Sequence, residues 1–320
     1  MSGLMRGWEE VILRLKHRSA LKPACKAKKP AGSLPPLETV SVGSFAEYRA
    51  YAQSMEEEYR RRESIERRLA KAGDAFTVSG FCCVCRRLVP FWVDLAYGFE
   101  DGEGHRTPNW RERLVCPGCG LNNRMRAAFH LFLKLCRPAA DCSLYLTEQT
   151  TRFSDLLKRC FPKTVGSEFL GPGLEPGSLN AQGTRHEDLT NLSFASAFFD
   201  FVLSFDVFEH IPGHRQAFRE CRRVLRPGGT LFFTVPFDIH SPFNIVRAEV
   251  LEDGRLLHRL PPEYHGDPLR EEGCLCFRHF GWECLEELRA AGFSEASCHF
   301  YWSQHYGYLG GDQFLLVARA

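Results

Sequence analysis

What this chain is short of narrows its reading first. Its 320 residues contain no apolar run of membrane-spanning length, so no transmembrane helix is expected. Net charge is scarce, +2 at pH 7, which argues against a chain built as a whole to bind a polyanion. The opening MSGLMRGWEEVILRLKHRS has no signal-peptide core and no small-residue cleavage site. Ser2 stands where myristoylation needs glycine. A cytoplasmic location is the resulting expectation. Glycine is missing from the segment LYLTEQTTRFSDLL, the first strand-and-helix pair of the C-terminal half, and from everything between Leu144 and Gly166. A dinucleotide-dependent dehydrogenase needs a glycine fingerprint there and is excluded. Acid is missing from Val11 to Leu37, where Arg14, Lys16, Arg18, Lys22, Lys26, Lys28 and Lys29 run into a proline-rich stretch. Residues 1–40 therefore read as a flexible basic arm, solvated rather than tethered to an acidic partner.

Cysteine is plentiful, with 14 in the chain. Without an export signal the count suits a reducing compartment and metal binding better than a disulfide framework. Cys82-x-x-Cys85 and Cys116-x-x-Cys119 form two knuckles, and four thiolates select one tetrahedral zinc ion. Pro117–Gly118 permits the tight turn. Cys83 is a possible substitute for Cys82, which is preferred because it keeps the two-residue gap. Four cysteines close the coordination shell, so the role is structural. Arg86, Arg87, Arg106, Arg111 and Arg113 surround the module, and Phe91, Trp92 and Trp110 can stack bases or form its core; core is the favoured reading. Cys274 and Cys276, with His265 and His279 nearby, match no common metal spacing and are read as no second metal site.

Three regions follow. After the arm, residues 41–75 read as one helix, with Ser44 and Glu47 as a capping box and Glu57/Arg61, Glu58/Arg62 and Glu63/Arg67 paired on its wet face. Residues 76–136 are the zinc-binding module and a docking helix, NNRMRAAFHLFLKLC, capped by Asn122 or Asn123. From 143 to 320 strands and helices alternate. LYLTE, TVGSEFL, TRHEDL, FDFVLSF and TLFFTVPF read as strands, HRQAFRECRRVLRPGG as a helix ended by Gly228–Gly229, and EASCHFYWS and DQFLLVARA as late strands. This pattern predicts an α/β fold, a doubly wound, mainly parallel sheet with helices on both faces, next to a small helical and zinc-binding module. The polar segment 238–280 follows the fifth strand and is placed to cover the strand ends.

The stretch HEDLTNLSFASAFFDFVLSFDVFEHIPGHRQAFRECRRVLRPGGTLFFTVPF resembles the class I S-adenosylmethionine-dependent methyltransferase family of the type 11 kind. An Asp and an apolar residue follow a short third strand, a fourth strand ends in DVFEHI, and a helix runs into LRPGG and a further strand. The resemblance implies a Rossmann-like methyltransferase sheet over 143–320 that takes S-adenosylmethionine at the C-terminal strand ends. It implies Glu168 at the ribose, Asp188 and Leu189 at adenine, and Glu148, Gln149, Thr150, Ser204 and Asp206 around the rest of the cofactor. His265 and, second, His210 are the candidate bases. A small-molecule or sugar-like acceptor is expected. The alternatives are a binding scaffold on a degenerate methyltransferase fold, or a zinc-ribbon RNA methyltransferase, nucleic acid being the less favoured partner. Thr147, Thr150 and Thr151 stand where the family has a glycine-rich loop.

Overall fold

The computed structural model describes residues 35–320 other than 72, 103, 105 and 268; most of the expected basic arm, residues 1–34, lies outside them. The chain divides into two compact units. The larger takes in Val40–Met55, Pro138–Phe300 and Phe314–Ala320; the smaller takes in Glu56–Arg137, Tyr301–Gln313 and, among the described residues, 35–39.

Thr39–Val42 forms β1, so regular structure starts within the last residues assigned to the arm. The expected single helix is two: α1 (Phe45–Ser54) and α2 (Glu56–Leu69). Ser44 caps α1 by accepting from the Glu47 amide at 3.3 Å, and Glu47 reaches back to the Gly43 amide at 2.8 Å. The helical path breaks at Met55, whose backbone turns to φ −101°, ψ 2° and donates to the Ala52 carbonyl. On α2, Glu58 pairs with both Arg61 and Arg62, at 2.6 and 2.9 Å.

In the smaller unit, β2 (Ala75–Cys82) and β3 (Arg87–Asp94) pair antiparallel from Ala75 opposite Asp94 to Cys82 opposite Arg87. β4 (Leu114–Val115) joins the free edge of β3. This short sheet brings the two knuckles together, because Cys82 ends β2 and Cys116 follows β4. Helix α3 (Asn123–Leu131) is capped by Asn122, whose Oδ1 accepts from the Met125 amide at 2.9 Å. Arg126 on α3 is wholly buried. It donates to the Tyr306 and Gly307 carbonyls at 2.8 and 3.1 Å and lies 3.8 Å over the Phe91 ring. Glu66 of α2 accepts from Trp302 Nε1 and the Gly310 amide. Those contacts fasten residues 301–313 to the unit.

The larger unit is built on a seven-stranded sheet. Its further elements are β5 (Leu144–Leu146), α4 (Arg152–Cys160), β6 (Thr164–Gly166), β7 (Phe199–Phe205), α5 (His214–Val224), β8 (Leu225–Thr234), α6 (Glu283–Ala290), β9 (Glu295–Ser303) and β10 (Tyr308–Arg319). Strand order is β1-β9-β10-β8-β7-β5-β6. β6, β5, β7 and β8 are parallel, and β10 runs antiparallel against β8. The chain moves outward from β5 to β6, then returns to the other side of β5 for β7 and β8. The resulting switch point lies between β5 and β7, the position at which open α/β sheets take ligands. The fold is thus mixed α/β, as the alternation of elements predicts. Phe199, Val202, Phe208, Phe218, Phe233, Phe280, Trp282 and Leu285 are among the side chains of its core.

Two further elements differ from the sequence reading. The third strand shrinks to one parallel bridge, Glu168 with His186. Helix α5 stops at Val224 rather than at the glycines. Pro227 disfavours a helical Arg226, and LRPGG becomes the irregular start of β8, with Gly228 at φ 77°. Among the described residues no helix is long and apolar enough to cross a membrane.

Candidate functional site

The four knuckle cysteines converge. Cys82 and Cys119 sulfurs stand 3.8 Å apart, Cys85 and Cys116 sulfurs 3.7 Å, and all four fall within 4.8 Å of one another. Four sulfurs about 2.3 Å from a tetrahedral centre are separated by about 3.8 Å, so the quartet has the size zinc requires. The Cys85 amide points at Cys82 Sγ and the Gly118 amide at Cys116 Sγ, at 3.4 and 3.3 Å. A Cβ at Gly118 would come within 2.8 Å of Cys85 Sγ, so that turn needs glycine. Cys83 faces elsewhere: its sulfur meets the Arg126 carbonyl and the Tyr308 hydroxyl, and burial pushes its thiol up to about 12. The geometry therefore separates Cys82 from its neighbour. Phe91 and Trp110 are buried core side chains, whereas Trp92 is exposed. Arg113 is paired with Asp94, Arg111 with Glu112, and Arg106 with Asp74.

At the strand ends of the larger unit, Glu168 follows β6 and turns its Oε1 onto the first loop. That oxygen accepts from the Gln149 amide (2.7 Å), the Thr150 amide (2.9 Å) and the Thr150 hydroxyl (2.9 Å). All these bonds fall on Oε1; among the described residues none reaches Oε2. The Gln149 side chain is spent on the 183–185 loop, donating to the Gly183 carbonyl and accepting from the Arg185 amide. The glycine that lets this loop lie close comes from the other side, at the end of β6. A Cβ on Gly166 would sit 2.8 Å from the Glu148 carbonyl and 3.3 Å from Gln149 Cα. Sequence reasoning missed it; the only signal is that TVG ends a strand on glycine.

Asp188 shapes its own turn, its Oδ1 accepting from the amide and hydroxyl of Thr190 at 2.8 and 2.7 Å, and Leu189 is buried beside it. Asp206, just past β7, has a left-handed backbone, φ 53°, held by bonds to Thr234. A non-glycine residue in that region stores strain of the kind found at functional sites. Ser204 is fully buried, and its hydroxyl accepts from Thr147 at 3.0 Å. That places it between strands rather than on the rim expected of it.

The two candidate bases lie together, with ring centroids 5.0 Å apart. His210 Nδ1 is 2.8 Å from the Leu275 carbonyl, which can only accept, so Nδ1 carries a proton, and Nε2 lies 3.6 Å from Glu209 Oε1. His265 has both nitrogens against carboxylates, Nε2 at 2.9 Å from Glu263 and Nδ1 at 3.5 Å from Glu209. The Cys276 sulfur first, with Glu209 and Glu263, raises the His265 imidazole to about 11. Burial holds the Glu209 carboxyl above its ordinary value.

Residues 152–233, about a quarter of the chain, match the family model of the methyltransferase domain. A Mycolicibacterium smegmatis protein described as a probable S-adenosylmethionine-dependent methyltransferase is 42% identical over 52 residues, covering 16% of this chain and 20% of its own length. The chain thus aligns with about a fifth of that relative. Among solved structures, an S-adenosylmethionine dependent methyltransferase from Mesorhizobium loti is similar at 15% identity and TM-score 0.37, covering 60% of this chain and 98% of that one. The Burkholderia thailandensis 1,6-didemethyltoxoflavin-N1-methyltransferase, bound to 1,6-didemethyltoxoflavin and S-adenosylhomocysteine, gives 16% identity and TM-score 0.35 over 61% of this chain and 77% of that one. Over residues 152–233, α4 to β8, this chain carries the pattern of the methyltransferase domain family.

Proposed function

We propose that the chain is an S-adenosylmethionine-dependent methyltransferase acting on a small-molecule or sugar-like acceptor, with one structural zinc ion held by Cys82, Cys85, Cys116 and Cys119. The observation that carries this reading is a coincidence of position. Inside or beside the segment that matches the methyltransferase domain, carboxylates follow successive strand ends at the switch point: Glu148 after β5, Glu168 after β6, Asp188 past the bridge at His186, and Asp206 after β7.

The cofactor supplies a methyl group on a sulfonium, ready for in-line displacement. The chain's part is to bind and orient both reactants, which carries most of the rate of such a reaction. Glu168 keeps Oε2 for the ribose hydroxyls while Oε1 holds the loop. Asp188 and Leu189 offer an acceptor and an apolar wall for the base. Glu148 and Asp206 place negative charge near the cationic end. His210, whose ring is fixed at Nδ1 by the Leu275 carbonyl, is the proposed proton acceptor for a hydroxyl or ammonium nucleophile; His265, the other candidate, has both nitrogens against carboxylates and is not open to that role.

Calorimetric titration of the full chain with S-adenosylmethionine and S-adenosylhomocysteine tests this. Saturable binding is expected, weakened about 10- to 100-fold in Asp188→Ala with an unchanged circular dichroism spectrum, the worth of one charge-assisted hydrogen bond. A folded wild-type protein that binds neither ligand refutes the enzyme reading and favours a scaffold. One observation supports that second reading: Gln149 and Thr150, pinned by Glu168, put side chains into a turn that glycines keep open in the family. An RNA substrate is disfavoured by the acid-paired arginines around the cysteine module and the burial of Phe91 and Trp110.

A further inference from the structure

We propose that Glu263, His265, Cys276 and His279 form a second metal centre that binds one zinc ion and staples the segment between β8 and α6. From spacing alone this region shows no metal site, because Cys274 and Cys276 are read as a pair. The structure separates them. Cys274 Sγ bonds Asp267 Oδ2 at 3.0 Å, whereas Cys276, wholly buried, lies with the two histidines and with Glu263, a residue that no motif singles out.

The backbone explains the meeting. Tyr264–Asp267 pairs antiparallel with Arg270–Leu275, with Tyr264 opposite Leu275. The Cys276 amide donates to the Glu263 carbonyl at 2.8 Å, which carries the ladder one step further and puts Glu263 opposite Cys276. His265 is two residues from Glu263, hence on the same face of its strand. His279 follows three residues after Cys276. The resulting pattern, Glu-x-His-x10-Cys-x2-His, joins donors that lie within 4.8 Å of one another.

The size and the charge both suit a divalent ion. Glu263 Oε1 stands 2.9 Å from His265 Nε2 and from His279 Nε2. Donors about 2.0–2.1 Å from a tetrahedral centre are about 3.3 Å apart, so the site has to open by only about 0.4 Å. One thiolate and one carboxylate neutralise a dication, while the other oxygen of Glu263 is occupied by Arg247 at 3.1 Å. A sulfur, two imidazoles and a carboxylate favour zinc over magnesium or calcium, and four protein donors make a closed, structural site.

A second observation points to the same ion. Glu209 is fully buried, and neither of its carboxylate oxygens has a hydrogen-bond partner among the described residues. Such burial is costly without a purpose. Its Oε1 lies 3.5 Å from His265 Nδ1, on the opposite side of the ring from Glu263, and 3.6 Å from His210 Nε2. A carboxylate behind the free ring nitrogen is the usual support of a metal-ligating histidine, fixing its tautomer and orientation. The inference does not depend on the methyltransferase reading.

The test is metal stoichiometry. Full-length protein saturated with zinc chloride and desalted is expected to retain two zinc ions per chain by mass spectrometry. Cys276→Ser and Cys116→Ser should each retain one. Cobalt-loaded wild type should show thiolate charge-transfer absorption, of which Cys276→Ser loses the smaller share. If Cys276→Ser fails to fold, Glu263→Gln keeps the hydrogen-bonding shape and should lower the affinity for the second ion at least 10-fold. A folded wild-type protein whose bound zinc is lost completely in Cys116→Ser overturns the proposal, as does a Cys276→Ser protein that keeps both ions.

Discussion

Gly166→Ala tests whether the 148–150 turn beside the candidate cofactor site is held by close approach to β6. The added Cβ would lie 2.8 Å from the Glu148 carbonyl oxygen and 3.3 Å from Gln149 Cα, where ordinary contact begins at 3.4 Å. The shortfall at the carbonyl is thus about 0.6 Å against backbone, which cannot swing aside as a side-chain tip does. Either β6 or the 148–150 turn must move. The turn is the weaker partner, held to Glu168 by bonds of 2.7, 2.9 and 2.9 Å that would lengthen together. Overpacking of this kind costs about 1–3 kcal/mol. For a domain of 150–250 residues that is a fall in melting temperature of roughly 2–12 °C. Thermal melts measure the fall, and calorimetry with S-adenosylmethionine should show weaker binding in the same variant. Gly213→Ala is the control, since its nearest neighbour, Thr190 Cγ2, lies at 3.6 Å, ordinary contact. Wild-type melting and affinity in Gly166→Ala would refute the reasoning, because a turn that yields so freely is not held by close approach.

Cys116→Ser should release the ion of the cysteine quartet and destabilise the smaller unit, read by zinc content and by limited proteolysis between residues 56 and 137; unchanged metal and stability would remove the assignment. His130, half-buried beside the Tyr308 hydroxyl, has its imidazole pushed down to about 4, first by burial and then by the Lys134 charge. The unfolded chain takes up that proton near pH 6.5, the native state only near 4, so the contribution is complete above pH 6.5 and is lost as pH falls toward 4. At most about 3 kcal/mol is at stake, and urea melts between pH 7.5 and 4.5 should show a steeper acid loss in wild type than in His130→Gln.

What was legible in the sequence is what depends on neighbours along the chain. The cysteine knuckles are set by two-residue gaps, and the strand-helix alternation after residue 143 by local hydrophobic runs, so both could be read directly. The rest depends on groups brought together from a distance. The third strand, TRHEDL, keeps only isolated bridges, at Arg185, His186 and Asp188, whose partners Leu179, Glu168 and Asn191 lie on different stretches of chain. Arg126 looks like an exposed helix residue until the Tyr306 and Gly307 carbonyls, 180 and 181 positions away, are seen to hold it. Glu263 enters its cluster only through a hairpin that closes the ten-residue gap between His265 and Cys276. Gly166 makes the point for the candidate active site. Close approach between two backbones needs a missing Cβ on one of them, and physics does not dictate which. This chain has a glycine on the neighbouring strand, at Gly166, where it lets β6 lie against the Glu148 carbonyl, an approach that a motif confined to the loop does not record. Gly166 accounts for how the turn lies against β6, while Gln149 and Thr150 still stand in the turn itself, so the cofactor titrations decide whether the site is open.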